Sequence, residues 1–267
     1  MIAGIRIAIV LTVIVLVTLV LLPVQLTSNR FNWKLSWYLP RWWHRVAVRL
    51  LGVRVVIHGK LDTHRPLMIA ANHSSWKDIV VLSSVADVVF IAKSEVKNWP
   101  VFGWLAKWQR TVFIERERRR QTGEQVSEVA KRLADGEIVV LFAEGTTSDG
   151  NRLLDFKSSL FGAAANALEA SPTGAVSIQP VAIAYTHANG VPLGRFGRPL
   201  AAWPGDTELT PHLMGVLKEG AFDVQVCFGE PVTYDESSNR KRVTRDVEAQ
   251  VRSMLQAQLY GGGKPLD

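Results

Sequence analysis

From Ile7 to Asn29 the chain carries no charged residue, and its apolar part from Ile7 to Leu22 is interrupted only by Thr12 and Thr18. No other feature limits the fold so sharply. A segment this apolar must lie in lipid or inside protein, and in lipid its backbone has to pair internally as a helix. A bilayer core takes roughly 20 apolar residues, so the run sits at the lower edge of a span. A cleavable leader competes with that reading, since Arg6 could be its basic start, but no small-x-small cleavage signal follows. The expectation is a retained anchor. Arg30, Lys34, Arg41, Arg45 and Arg49 follow it and only Arg6 precedes it. By the positive-inside rule the rest of the chain then faces the cytoplasm.

The next stretch, FNWKLSWYLPRWWHRVAVRLLG, sets Trp33, Trp37, Tyr38, Trp42 and Trp43 beside Arg41, Arg45 and Arg49 at helical spacing. Amphipathic rings of this kind prefer the headgroup level, so the segment reads as a helix lying in the membrane interface. An ordinary helix packing its aromatic face on a globular domain is the alternative. Residues 1–52 are thus expected to be an anchor with an interfacial helix, either a span or a hairpin, and 53–260 a single domain. The glycine-rich tail, 261–267, is expected to fray.

The formal charge of +7 implies an anionic partner, which could be nucleic acid, a membrane surface or a phosphorylated substrate. Tryptophans clustered beside the apolar run favour membrane lipid over nucleic acid, which would need aromatics interleaved with basic residues in the globular part. The single cysteine, Cys227, excludes an internal disulfide and a multi-cysteine zinc site, fits a reducing compartment, and reads as strand packing in VQVCFGE.

Beyond residue 52, apolar runs of strand length alternate with helical patterns. VRVVIHG, PLMIAAN, DVVFIAK, RTVFIE, GEIVVLFAEG, VSIQPVAIAY and FDVQVCFGEPV read as strands. Helices are expected from about Trp76, around Val126, Val129, Ala130 and Leu133, over SSLFGAAANALEA, and over RKRVTRDVEAQVRSMLQAQLY. The alternation predicts an α/β fold with a mixed, largely parallel sheet flanked by helices.

In ANHSSWKDI, residues 71–79, His73 and Asp78 are five positions apart. On a helix they would point about 140° away from each other, so they meet only across a turn. PLMIAAN as strand, NHSS as turn with a serine as N-cap, and WKDIVVL as helix start supply such a turn. Asp78 can then accept a hydrogen bond from one ring nitrogen and leave the other as a base. The plain alternative is that Asp78 complements a helix N-terminus and His73 is a turn residue. In LFAEGTTSDGN, Glu144, Gly145, Thr146, Thr147 and Ser148 fall where a strand ends, the edge at which open α/β sheets bind ligands. They could equally be a reversal made by Asp149 and Gly150. In VFIERERRR a strand ends at Arg116, whose planar fork suits a phosphate or carboxylate; Arg118, Arg119 and Arg120 read as a solvated or lipid-facing patch.

The blocks NHSSWKD, VFIER, FAEGT and IQPVAIAY stand in the order and rough spacing of the four blocks of the glycerolipid acyltransferases, typified by the bacterial 1-acyl-glycerol-3-phosphate acyltransferases. The chain resembles that family over most of residues 50 to 235. The resemblance implies an enzyme of the bacterial inner membrane, with its catalytic domain on the cytoplasmic side. Such an enzyme moves a fatty acyl group from an acyl carrier protein or coenzyme A thioester to a lysolipid hydroxyl, with no bound cofactor and no metal. It further implies His73 as general base, Asp78 as its orienting partner, and Arg116, Glu144, Gly145 and Thr146 lining the acceptor head group. Pro180 would shape the acyl side.

Two departures bear on the acceptor. Where the family's third block usually reads FPEGTRS, this chain has Ala143 for the proline and Thr147 for the arginine. The missing cation disfavours a phosphate, and FAEGTTSDGNRLLDFKSSL resembles the branch that acylates lyso-ornithine lipid, whose head group carries a carboxylate and an amine. Lysophosphatidate remains the alternative acceptor, with Arg110 or Arg152 available to replace the missing charge. A membrane-anchored esterase is the more distant reading, and the absence of a G-x-S-x-G elbow weighs against it.

Overall fold

The computed structural model describes residues 2–114, 128–169, 171, 173–205 and 207–261. The chain begins with helix α1 (Ile2–Arg30) and helix α2 (Leu35–Leu50), then alternates through β1 (Val53–His58), β2 (Leu67–Ala71), α3 (Lys77–Val85), β3 (Val88–Lys93), α4 (Phe102–Trp108) and β4 (Val112–Ile114). The described part of α5 is 128–134. There follow β5 (Ile138–Phe142), α6 (Gly162–Leu168), β6 (Ala175–Ala188), β7 (Val191–Pro192), α7 (Gly194–Ala201), α8 (Leu209–Glu219), β8 (Phe222–Phe228), β9 (Val232–Asp235) and α9 (Arg240–Tyr260).

Among the described residues the strands form one sheet in the order β1-β8-β6-β2-β5-β3-β4, with β7 and β9 added to β6. From β6 through β2, β5, β3 and β4 every neighbour is parallel. Only β8, β7 and β9 run antiparallel to β6. The sequence explains the parallel centre. LMIAA in β2 is apolar throughout and wholly buried, as a strand covered on both faces must be. One face is covered by α5, α6 and α9, which contribute Val129, Leu133, Ala164, Val247 and Val251. The other is covered by α2, α3 and α8, through Val48, Val81, Leu82, Val216 and Leu217. Cys227 is buried in β8.

The pairing of β2 with β5 positions everything that follows. They are parallel neighbours in the register Ala71 to Phe142, so the segments that leave their C-terminal ends emerge side by side. NHSS and AEGTT are seventy residues apart in the chain and adjacent at the sheet edge.

The two N-terminal helices are held against the domain. At one end of α1 the Arg6 guanidinium donates to the Leu217 and Leu51 carbonyls. At the other, Gln25 Nε2 donates to the Ser36 and Trp108 carbonyls at 3.2 and 2.9 Å, and Asn29 Nδ2 to Trp108 at 3.2 Å. Between them the Trp43 indole N–H donates to Thr18 Oγ1 at 2.8 Å. A helix about 43 Å long thus lies along the domain. It buries Val10, Gln25 and Ser28 and exposes Ile5, Ile9, Leu16, Leu19 and Val20. By length and composition it is the one described helix able to cross a membrane. Helix α2 buries His44, Ala47 and Val48 while Tyr38 and Trp42 stay exposed.

Helices α4, α7 and α8 and the short strands β7 and β9 were not foreseen from the sequence. In α7 and α8, Gly194, Gly197, Pro199, Pro211 and Gly215 interrupt the apolar period that would announce a helix, and packing overrides their low propensity. Val126 lies outside the described residues, as does the tail beyond Gly261.

Candidate active site

The turn after β2 is built by side chains standing in for backbone. Asn72 Nδ2 donates to the Ile183 carbonyl at 3.0 Å and its Oδ1 accepts the Ile183 N–H at 2.7 Å, which extends the β2–β6 ladder by one amide. His73 follows, and its backbone is clamped to the neighbouring turn: its N–H donates to Glu144 Oε1 at 2.6 Å and its carbonyl accepts the Ser148 N–H at 2.8 Å. The imidazole stacks on Phe142, with centroids 3.9 Å apart and planes at 11°, and Phe142 stacks in turn on Phe90. Ring and backbone are both fixed before any substrate arrives.

Asp78 sits in the first turn of α3 with no exposed surface. Its Oδ2 accepts from His73 Nδ1 at 2.9 Å and from the N–H groups of Ser74 and Ser75 at 2.7 and 2.9 Å. Its Oδ1 accepts the Tyr185 hydroxyl at 2.8 Å. A carboxylate can only accept, so His73 Nδ1 carries the proton and Nε2 presents its lone pair. The His73 side chain is 16% exposed, and among the described residues Nε2 has no hydrogen-bond partner. The two sequence readings of this stretch prove to be one arrangement. The aspartate that satisfies amides at the helix start is the aspartate that orients the imidazole. The expected serine cap is not formed in the usual way: the N-cap residue is Trp76, with no side-chain cap, and Ser75 Oγ accepts the Lys77 N–H only at 3.4 Å.

Glu144 is almost wholly buried, and both its oxygens are used by backbone, Oε1 by His73 and Oε2 by the Leu154 N–H at 2.8 Å. Burial pushes its carboxyl up to about 8 despite those two amides. It is a strut between the two turns, each oxygen holding one backbone amide. Gly145 has φ of +73°, a left-handed conformation open to glycine at little cost, and lets the chain fold back so that Ser148 reaches His73. Thr146 is exposed and Thr147 half-buried on the outer side of this turn.

Other expected site residues lie elsewhere. Arg116 falls outside the described residues, as do Arg118, Arg119 and Arg120. Pro180 is buried within β6 opposite Ala70, its carbonyl accepting the Gly229 N–H. It precedes Ile183 by three residues, about 10 Å of strand, and so lies below the His73 turn. Arg110 does not replace the missing charge: it pairs with Glu137 at 2.8 Å, just before β5, and covers the Trp37 ring. That places it at the N-terminal ends of the strands, the length of β5 away from His73. Arg152 is exposed, close enough to Asp149 for its charge to help lower that carboxyl.

Sequence reasoning missed Asn72 and Tyr185. Tyr185 closes the block IQPVAIAY after the buried apolar run Pro180–Ala184, where its polar tip calls for a partner. That partner is Asp78, and β6 brings it from 107 residues away. An oriented imidazole with a free Nε2 beside an accessible, hydroxyl-rich turn can take a proton from an incoming hydroxyl and return it to a leaving group.

Comparison with known proteins agrees. Residues 53–184 match the family model described as Acyltransferase. The chain is 60% identical over 261 residues to a lyso-ornithine lipid O-acyltransferase of Rhizobium meliloti, covering 98% of this chain and 89% of that one. It is 52% identical to a protein of the same name from Brucella abortus, covering 98% of each. The crystal structure of the 1-acyl-sn-glycerophosphate acyltransferase of Thermotoga maritima superposes with a TM-score of 0.65 at 22% identity, over 97% of this chain and 98% of that one. That structure shares the fold. With likeness of this extent running from α1 to α9, the chain belongs to the acyltransferase family and is an enzyme that transfers acyl groups.

Proposed function

We propose that the protein O-acylates lyso-ornithine lipid, with His73 as general base and Asp78 as its orienting partner. The observation that carries the chemistry is the His73 ring, fixed by Asp78 and Phe142 with Nε2 turned outward. The acceptor hydroxyl gives its proton to Nε2 as its oxygen attacks the thioester carbonyl. The tetrahedral intermediate collapses, the carbon–sulfur bond breaks, and the leaving thiolate takes the proton from the imidazolium. An ester replaces a thioester. Asp78 stabilises the transient imidazolium, and Tyr185 and the two serine amides hold Asp78 in place. Direct attack by the substrate's own oxygen needs orientation rather than a protein nucleophile.

The choice of acceptor rests on the relatives' names and on Thr147, a neutral residue at the outer side of the turn where a phosphate would call for a cation. Gly145, Thr146 and Thr147 line the head-group side, and Arg116 supplies a cation for the ornithine carboxylate. Glu144 acts by positioning the His73 backbone. The donor is a thioester of acyl carrier protein or coenzyme A.

Residues 1–52 form the membrane anchor and 53–260 the acyltransferase domain, on the cytoplasmic face of a bacterial inner membrane. Because both ends of α1 bond to the domain, the reading that fits best is a hairpin of α1 and α2 with its exposed apolar stripe in one leaflet. The test offers the purified protein lyso-ornithine lipid and lysophosphatidate side by side, each with both thioesters, and identifies the products by mass. Preferential acylation of lysophosphatidate would refute the acceptor.

A further inference from the structure

Lys77, beside Asp78 in the chain, has no exposed surface, and among the described residues its amine has no hydrogen-bond partner. The amine lies 4.1 Å from the centre of the Phe222 ring and 4.8 Å from that of Tyr185. Tyr185 is the residue whose hydroxyl holds Asp78 Oδ1. An unpaired buried amine is an expensive way to fill space, and a leucine or methionine would pack there without desolvating a charge. The ring faces offset only part of that cost.

We propose that Lys77 is a positioning residue of the acyl-transfer site, whose buried amine, against the face of Tyr185, keeps His73 in its neutral, proton-accepting form. A positive charge at this place competes for the Asp78 carboxylate and opposes a second positive charge on the imidazole. Burial brings the amine down to about 7, with Asp78 pulling the other way, so its charge is present or lost near neutral pH. The charged and titratable groups around it are Asp78, which holds His73, Tyr185 from β6, and His212 from α8, which accepts the Trp76 indole N–H at 3.0 Å. The Lys77 charge also helps hold the His212 imidazole down, after burial. From α1, Arg6 is occupied by the Leu217 and Leu51 carbonyls, and from α2, Arg41 and Arg45 bond Asp87 and Ser84 at the far end of α3. On β8, Asp223 points to the opposite face from Phe222 by strand alternation.

The proposal rests on His73 acting as the base, and the experiment separates the two. Full-length wild type, K77M and K77R are compared in lipid vesicles with lyso-ornithine lipid and an acyl thioester, and kcat/KM is measured across pH. Thermal unfolding and vesicle flotation report fold and attachment. K77M is expected to move the acid limb up by about one pH unit, a tenfold change in the proton equilibrium. A purely structural lysine would lower the rate by one factor at every pH and leave the limb in place, and that result overturns the proposal. Should K77M not fold, K77R carries the test: permanently charged, it must hold the limb at or below the wild-type position, and a limb above it refutes the inference. H73A with residual turnover would instead remove the base itself, whatever Lys77 does.

Discussion

Glu144→Gln isolates the consequence of burying a carboxyl as a strut. The wild-type carboxyl has an ordinary value of 4.5 and is pushed up to about 8 in the fold, so folding favours its protonated form. Its penalty is absent below pH 4.5, grows as pH rises through that interval, and is complete above about 8. Over roughly 3.5 pH units, at about 1.4 kcal/mol each, ionisation destabilises the fold by about 5 kcal/mol at alkaline pH. Glutamine never ionises and keeps an oxygen for the His73 N–H, but it loses the acceptor for Leu154, which costs about 1–3 kcal/mol at every pH. E144Q is therefore less stable than wild type near pH 5 and more stable by about 2–4 kcal/mol near pH 9. For a domain of this size that is a rise of roughly 4–16 °C in Tm. Tryptophan fluorescence during heating, in one detergent at both pH values, measures it directly. A difference between variant and wild type that is the same at pH 5 and pH 9 would refute the reasoning, because a strut that does not titrate has no pH-dependent cost.

Three further outcomes are expected. Tyr185→Phe removes the hydroxyl's hydrogen bond to Asp78 Oδ1 in a buried site; the lost bond to a charged group, about 1.5–3 kcal/mol, should appear as a fall in kcat of roughly tenfold to hundredfold, with KM little changed. His73→Ala should abolish acyl transfer while flotation and thermal unfolding stay close to wild type, which steady-state turnover and the two physical assays check together. Thr147→Arg should raise kcat/KM for lysophosphatidate relative to lyso-ornithine lipid by about tenfold or more, on the scale of a charge-assisted hydrogen bond; an unchanged ratio removes Thr147 from the acceptor argument.

Much of this molecule was legible in its residues. The uncharged run from Ile7 could only be helix, the continuous apolar strands could only be a doubly covered sheet, and the four blocks named the chemistry. His73 and Asp78 were visible as a pair because five residues spanning a strand end and a helix start leave a turn just long enough for contact. What local sequence could not carry was anything decided by neighbours in the sheet. The insertion of β5 between β2 and β3 brings Glu144 under the His73 backbone, and the parallel placement of β6 brings Tyr185 to Asp78 and Ile183 to Asn72. Glu144 read as a head-group residue, and the sheet sets its two oxygens on the His73 and Leu154 amides; Arg110 read as a spare cation, and it is an ion-pair partner at the other end of the strands. Residue types and their order determined the fold class, the long apolar helix and the His73–Asp78 contact, because these follow from periodicity and short-range geometry. Register and strand order, which are set by long-range packing, decided which buried groups hold that pair in place and left the Lys77 amine without a hydrogen-bond partner among the described residues.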